Sequence, residues 1–275
     1  MRYPVLLACL LATVPGFAAA PAAARPGPAA AGVPKALATA VADPRRSPAS
    51  RARDRYRHPA ETLAFFGIRP DMTVVEIWPG GGWYAEILAP LLQGRGRYIA
   101  AAQGPGRGRD ATEKLIASDP ARFSRVALTT FDPKATSTIA PAGSADMVLT
   151  FRNVHNFLMA GDAAAAQAFT DFHKALKPGG VLGIVDHRLP EDRPADAERK
   201  SGYLKRSTIV RLATAAGFRL AGESQVNANP KDSADWPDGV WTLPPVLRRG
   251  EADRARYLAI GESDRMTLKF VKPAA

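Results

Sequence analysis

Apolar positions along this chain follow two rhythms that take turns. Short, nearly continuous apolar runs occupy residues 73–77, 96–102, 126–131, 146–151 and 180–186. Each is too short for a stable helix and is bounded by turn residues, so each predicts a strand. Between them, residues 83–92, 111–118 and 163–176 carry apolar positions at helical spacing. Strands and helices in alternation predict a mostly parallel sheet with helices on both faces. Unbroken apolar strands suit that arrangement, because both of their faces are covered.

After residue 186 the rhythm changes. Residues 205–216 predict a helix stopped by Gly217, 218–226 a strand, 251–260 a short helix and 265–271 a final strand. The two late strands are expected as an antiparallel pair at the sheet edge. Between them runs an irregular stretch, 227–249, rich in Pro, Asp and Trp. It is longer than an ordinary connection and is expected to cover a functional site.

The sharpest local pattern is Thr73-Val74-Val75-Glu76-Ile77-Trp78-Pro79-Gly80-Gly81-Gly82-Trp83-Tyr84. A strand ends in one acid, turns through glycines and enters a helix, which presents free N–H groups and a positive dipole end to a ligand. Glycine lets that ligand approach the main chain, since no Cβ intervenes. Gly82 is expected to lie at such a contact.

Composition adds compartment and charge. Residues 1–20 read as a cleaved secretory signal, with Arg2, an apolar core and Ala18-Ala19-Ala20. That core is too short to span a bilayer. Leu6-Leu7-Ala8-Cys9 resembles a lipoprotein box, but cleavage there would leave almost no apolar core, so lipidation is not expected. A periplasmic or secreted protein follows, with no transmembrane segment in the mature chain. Cys9 is the single cysteine, so the mature chain has no disulfide or thiolate chemistry. Residues 21–35 form an Ala/Pro tether, 36–60 a basic segment and 61–275 the main domain. The net charge is +11. Arg45, Arg46, Arg51, Arg53, Arg55 and Arg57 face only Asp54 within the basic segment. Without interleaved aromatic residues this is expected to be a solvated face rather than a nucleic-acid arm, although Arg57-His58-Pro59 could still cover a ligand.

Residues 61–273 resemble the class I S-adenosylmethionine-dependent methyltransferases, whose first strand ends in an acid followed by G-x-G-x-G. Glu76 takes the acid position, Gly80 and Gly82 the second and third glycines, and Trp78 stands where the first glycine would be. Lys177-Pro178-Gly179-Gly180 resembles the turn before the family's fifth strand. Pro79–Tyr84, Asn153-Val154-His155-Asn156 and Gly261-Glu262-Ser263-Asp264-Arg265-Met266 resemble more narrowly an exported bacterial group of methyltransferase-like proteins. The resemblance implies a Rossmann-like, doubly wound, mostly parallel seven-stranded sheet with a late antiparallel strand. It implies S-adenosyl-L-methionine as cofactor, held by Glu76, Gly80, Gly81 and Gly82. Gln103 stands in for the missing ribose-binding acid, Asp132 fits the adenine and Asn153 lies toward the methyl group. A small-molecule acceptor is expected and nucleic acid is not.

Methyl transfer needs orientation and, for many acceptors, a base. His155 follows the fourth strand and His187 the fifth, at strand ends that face the ligand crevice in open sheets. His155 is the first candidate for the catalytic base and His187 the second, while His173 reads as structural. Asp186, His187 and His155 lack the spacing of a metal motif, so no metal is expected. Trp83 and Tyr84 can stack on a ligand or serve the core, and Trp236 and Trp241 can line an acceptor pocket or pin the loop. Two other readings stay open. One is a non-catalytic binder of an adenosine-type ligand, suggested by the compartment and by Trp78. The other is an NADP-dependent oxidoreductase, because Gly80–Ala85 also satisfies G-x-G-x-x-A, with Arg107 or Arg109 for the phosphate.

Overall fold

The computed structural model describes Met1 and residues 32–274. The expected signal, Cys9 and most of the 21–35 tether therefore lie outside the described residues. The residues described from 32 onward open with four helices, α1 (Lys35–Val41), α2 (Pro48–Arg51), α3 (Asp54–Arg57) and α4 (Pro59–Phe66). It continues through β1 (Thr73–Ile77), α5 (Ala85–Leu92), β2 (Arg97–Ala102), α6 (Arg107–Ser118), α7 (Pro120–Phe123) and β3 (Ala127–Thr130). Next come β4 (Ala145–Phe151), α8 (Val154–Met159), α9 (Asp162–Ala175) and β5 (Leu176–Leu189). The last part holds β6 (Leu204–Lys205), α10 (Arg206–Ala215), β7 (Arg219–Ser224), α11 (Arg254–Ile260) and β8 (Arg265–Val271).

One sheet runs β3-β2-β1-β4-β5-β8-β7, with β6 beside β5. β8 is antiparallel to both β5 and β7, and every other pairing is parallel. This is the expected Rossmann-like, doubly wound sheet with a late antiparallel strand. It has eight strands rather than seven. The additional one, β6, pairs only Leu204 and Lys205 with Arg188 and Leu189, too short a segment for any periodicity to reveal. The chain leaves β1 for β2 on one side and later returns to β4 on the other. That switch point opens a crevice at the carboxyl ends of β1 and β4.

Alternation along the strands feeds two cores. Val75 and Ile77 of β1, with Val148 of β4, pack on one face against Phe169 and Phe172 of α9. Val74, Met147 and Leu149 pack on the other face with Leu37, Phe66 and Leu88. Among the described residues no helix is long and apolar enough to cross a membrane.

The basic segment is only in part the expected solvated face: Arg45, Arg51 and Arg55 are exposed, whereas Arg46 and Arg57 are buried. Arg46 and Arg57 are only 1% and 2% exposed. Arg46 donates to both carboxylate oxygens of Asp54 (2.7 and 2.8 Å) and to the Val41 carbonyl (2.7 Å), so its charge is buried with a fork-matched partner. Trp83 lies between Arg46 and Arg57, their guanidinium carbons 5.3 and 4.6 Å from its ring centroid. Long apolar stems and cation–π contact make such arginines good packing material.

Another buried arginine repairs a helix. Pro90 lies inside α5 and has no N–H for the carbonyl of Glu86, four residues earlier. Arg122, almost fully buried, donates Nη2 to that carbonyl at 2.7 Å and Nη1 to the Arg45 carbonyl at 3.1 Å.

Candidate functional site

A cavity of about 470 Å³ opens at the carboxyl ends of β1, β2, β4 and β5. Its floor is the turn after β1. Trp78 there adopts φ 49°, the left-handed conformation that the family's first glycine would adopt freely and that a tryptophan adopts at about 1 kcal/mol. Its indole N–H donates to the Phe131 carbonyl (3.0 Å), and its ring meets Phe157 edge-on at 5.0 Å. Burial of the indole offsets the backbone strain, which explains how the departure is tolerated.

The glycines divide their work. Gly80 (φ 56°) and Gly81 line the cavity, and a Cβ on either would meet nothing within 4 Å. Gly82 (φ 80°) does not line it. A Cβ there would stand 2.0 Å from the side-chain end of Leu115 in α6, so Gly82 serves the left-handed turn and its packing rather than the expected ligand contact. Of the other expected cofactor residues, Glu76, Gln103 and Asn153 line the cavity. Asp132 does not; it is exposed and caps its own turn through Lys134 N (2.9 Å).

Glu76 is buried and accepts from Tyr98 Oη at 2.7 Å. Burial pushes its carboxyl up to about 7, against the opposing effects of the Tyr98 hydrogen bond and Arg57. Gln103 Oε1 is buried without a hydrogen-bond partner, an acceptor waiting for a donor from a ligand. Gly108 lets the Gln103 side chain lie there, because a Cβ would come within 2.5 Å of that oxygen. Asn153 donates Nδ2 to the Ile77 carbonyl (2.9 Å), locking the end of β1 to the start of α8.

The two candidate bases meet. His155 and His187 have ring centroids 5.1 Å apart, and both line the cavity. Asp186 organises them. Its Oδ2 accepts from Val154 N (2.8 Å) and His155 N (3.3 Å), so a carboxylate on β5 caps the first turn of α8, which has no side-chain cap of its own. Its Oδ1 accepts from His155 Nδ1 (2.8 Å) and His187 N (2.8 Å). A carboxylate only accepts, so the Nδ1 proton is assigned toward Asp186 and the free lone pair of His155 lies on Nε2. His187 Nδ1 pairs with Ser263 Oγ at 2.5 Å. Burial, followed by the neighbouring His155 ring and the Arg152 guanidinium, holds His187 well below the usual imidazole range and keeps it neutral.

Donor atoms of His155, Asp186 and His187 lie within 4.8 Å of one another, a spacing that invites a metal. Each Asp186 oxygen already accepts two N–H groups, so this carboxylate orients a base and has no lone pair left for an ion.

The run Arg57-His58-Pro59 was expected to be able to cover a ligand, and further participants had no role assigned from the sequence. Arg53, Arg57 and Arg152 line the cavity. Glu262 binds Arg53 (2.6 Å), Arg57 (3.3 Å) and Arg265 (3.1 Å). Their signal was present in the run Gly261–Met266, which placed Glu262 and Ser263 together without saying what they touch. The long excursion does reach the site. Trp241, Pro244, Pro245 and Val246 line the cavity, whereas Trp236 donates to Asp232 (2.7 Å) and pins the loop. Tyr84 stacks on Phe151 at 3.5 Å, and Trp83 Nε1 donates to the Ser50 carbonyl (2.9 Å), so both are packed residues with one edge on the cavity. Arg107 and Arg109 do not line it, and Arg109 is engaged by Glu113 (2.8 Å) and Thr130 (3.0 Å).

No family model matches this chain, and no curated protein matches it in sequence. Solved structures do. The fold is similar to a SAM-dependent methyltransferase from Aquifex aeolicus, with 14% identity, a TM-score of 0.56, and 82% of this chain and 94% of that one covered. It is similar to CrArsM, an arsenic(III) S-adenosylmethionine methyltransferase from Chlamydomonas reinhardtii, with 15% identity, a TM-score of 0.51 and coverage of 88% and 74%. The [4+2]-cyclase SpnF matches at 14% identity and a TM-score of 0.54, with 82% of each chain covered. These likenesses establish the fold. One of the three carries the name of a cyclase, so the reaction has to be argued from the site.

Proposed function

We propose that this protein is an S-adenosylmethionine-dependent methyltransferase acting on a small nucleophile, with His155 as its general base. The observation that carries the reading is the Asp186–His155 pair, which presents one bare Nε2 to the same cavity as the glycine turn and the unpartnered Gln103 oxygen.

The residues present fit the cofactor. Gln103 Oε1 would accept from a ribose hydroxyl, Glu76 would face the amino group, and Gly80 and Gly81 would let the ligand lie against the main chain. When bound, the cofactor supplies an electrophilic methyl group on a sulfonium. The chain's own work is to orient and deprotonate the acceptor. His155 Nε2 takes the proton of the attacking group, and Asp186 stabilises the imidazolium that results. Trp241 and the Pro244–Pro245 wall exclude water from the open side, while neutral His187 provides a polar edge without adding charge. The leader-like residues 1–20 support a periplasmic or secreted site of action, which the amino terminus of the protein recovered from the cell envelope would establish.

Calorimetry tests the reading. S-adenosylmethionine and S-adenosylhomocysteine should bind and NADPH should not. His155→Gln should keep S-adenosylhomocysteine affinity while lowering methylation of acceptors in cell extract by about 10²–10⁴-fold. No heat with either sulfur ligand refutes the proposal. Binding with no methylated product would favour an adenosine-ligand binder, and tight NADPH binding an oxidoreductase.

A further inference from the structure

The cavity holds more positive charge than its own residues neutralise. Arg53 uses Nε on Glu262, and its Nη2 is buried with no partner. Arg57 is 2% exposed and likewise spends Nε on Glu262, leaving Nη2 buried and unpaired. Arg152 is half-buried and donates no side-chain hydrogen bond among the described residues. Arg265 stands behind them, bound to Glu262 and to the Tyr56 carbonyl (2.6 Å). Glu262 is therefore the acid shared by Arg53, Arg57 and Arg265, and among the described residues Arg152 forms no ion pair. Glu76, an acid that lines the cavity, is already held by Tyr98.

Backbone geometry sharpens this. Arg152 adopts φ 61°, left-handed for a residue with a Cβ, while its N–H donates to the Val185 carbonyl at 2.7 Å. That backbone is strained for a residue with a Cβ, and the guanidinium has no hydrogen-bond partner among the described residues. Both are maintained at the one place where the side chain faces the cavity. A guanidinium fork matches a carboxylate or phosphate in shape as well as charge.

We infer that Arg53, Arg57 and Arg152 form an oxyanion-binding site for the methyl acceptor, which is a small molecule bearing a carboxylate or phosphate. This rests on the proposed methyl transfer and names its substrate class: the anionic end docks on the arginines and the nucleophilic end meets His155.

The same chemistry could instead serve the cofactor's own carboxylate, and the experiment separates the two. Inorganic phosphate and succinate are titrated into the full chain saturated with S-adenosylhomocysteine, whose carboxylate is then already in place. At least one of them should bind, and Arg57→Met and Arg152→Met should each weaken it about tenfold or more, with S-adenosylhomocysteine affinity changed less than about twofold. Arg152→Met removes an unpaired charge and should keep or raise the melting temperature of the ligand-free protein, so it remains informative if Arg57→Met fails to fold. The inference is overturned if neither anion binds the saturated protein. It is also overturned if the variants lose S-adenosylhomocysteine affinity but keep that for 5′-methylthioadenosine, which lacks the carboxylate. A wild type that binds phosphate through these arginines but no S-adenosylhomocysteine would remove the methyltransferase reading and leave the anion site standing.

Discussion

Replacing Gly81 and Gly82 separately by alanine should split stability from ligand binding. At Gly82 the backbone is left-handed (φ 80°), and the new Cβ would stand 2.0 Å from Leu115 Cδ2. An alanine in that conformation costs about 1–2 kcal/mol, and turning the half-buried Leu115 side-chain end aside adds about 0.5–1.5 kcal/mol. A total of roughly 1.5–3.5 kcal/mol should lower the melting temperature of a domain this size by roughly 3–14 °C. Affinity of the folded fraction for S-adenosylhomocysteine should change little, because Gly82 does not line the cavity. Gly81 is the reverse case. Its φ is not positive and its Cβ would meet nothing within 4 Å, so Gly81→Ala should stay within about 0.5 kcal/mol of wild type. That Cβ would enter the cavity, and affinity should fall. Thermal unfolding by circular dichroism and calorimetry on the same preparations measure both. A Gly82→Ala protein as stable as wild type but unable to bind would refute the division of roles.

Three further outcomes are expected. Folded Glu76 keeps its proton up to about 7 while the unfolded chain releases it near 4.5, so stability should fall as pH rises between those values, by about 3 kcal/mol in all. Glu76→Gln should flatten that slope in urea unfolding and be the more stable protein at pH 8; parallel pH curves would contradict it. Arg122→Met should cost about 1–3 kcal/mol by orphaning the Glu86 carbonyl, and Pro90→Ala should recover part of that loss only in the Arg122→Met background, which a double-mutant cycle reads directly. Asp186→Asn turns two accepted hydrogen bonds into donor–donor conflicts; it should destabilise the fold by about 2–5 kcal/mol and move the His155 proton off Nδ1, visible in the ¹⁵N shifts of the ring. Unchanged shifts would mean that Asp186 does not set the tautomer.

Much of the fold was legible because periodicity is a local property. The runs at 73–77 and 146–151 had to be buried on both faces, and the helical stretches between them had to cover those faces. The histidines were legible for a related reason, since residues just past parallel strands converge at one end of the sheet. β6 was not, because two residues carry no period. The role of Gly82 was not either: a glycine needed for a ligand and a glycine needed beside a leucine from another helix look alike in sequence. Arg46, Arg53 and Arg57 were misjudged for want of their partners, while Arg45, Arg51 and Arg55 are exposed as expected. Asp54 is local to Arg46, but Glu262 lies more than two hundred residues from Arg53 and Arg57.

The sequence by itself determined the alternation of strand and helix, the glycine turn behind Glu76 and the likeness to a methyltransferase fold, because each depends on neighbours within a few residues along the chain. Tertiary structure alone decided that Asp186 aims His155, that Trp78 can occupy a glycine's conformation by burying its indole, and that a basic segment becomes the wall of a cavity. Those outcomes depend on burial and on charges that meet only when distant segments pack, and neither quantity is written in the order of the residues.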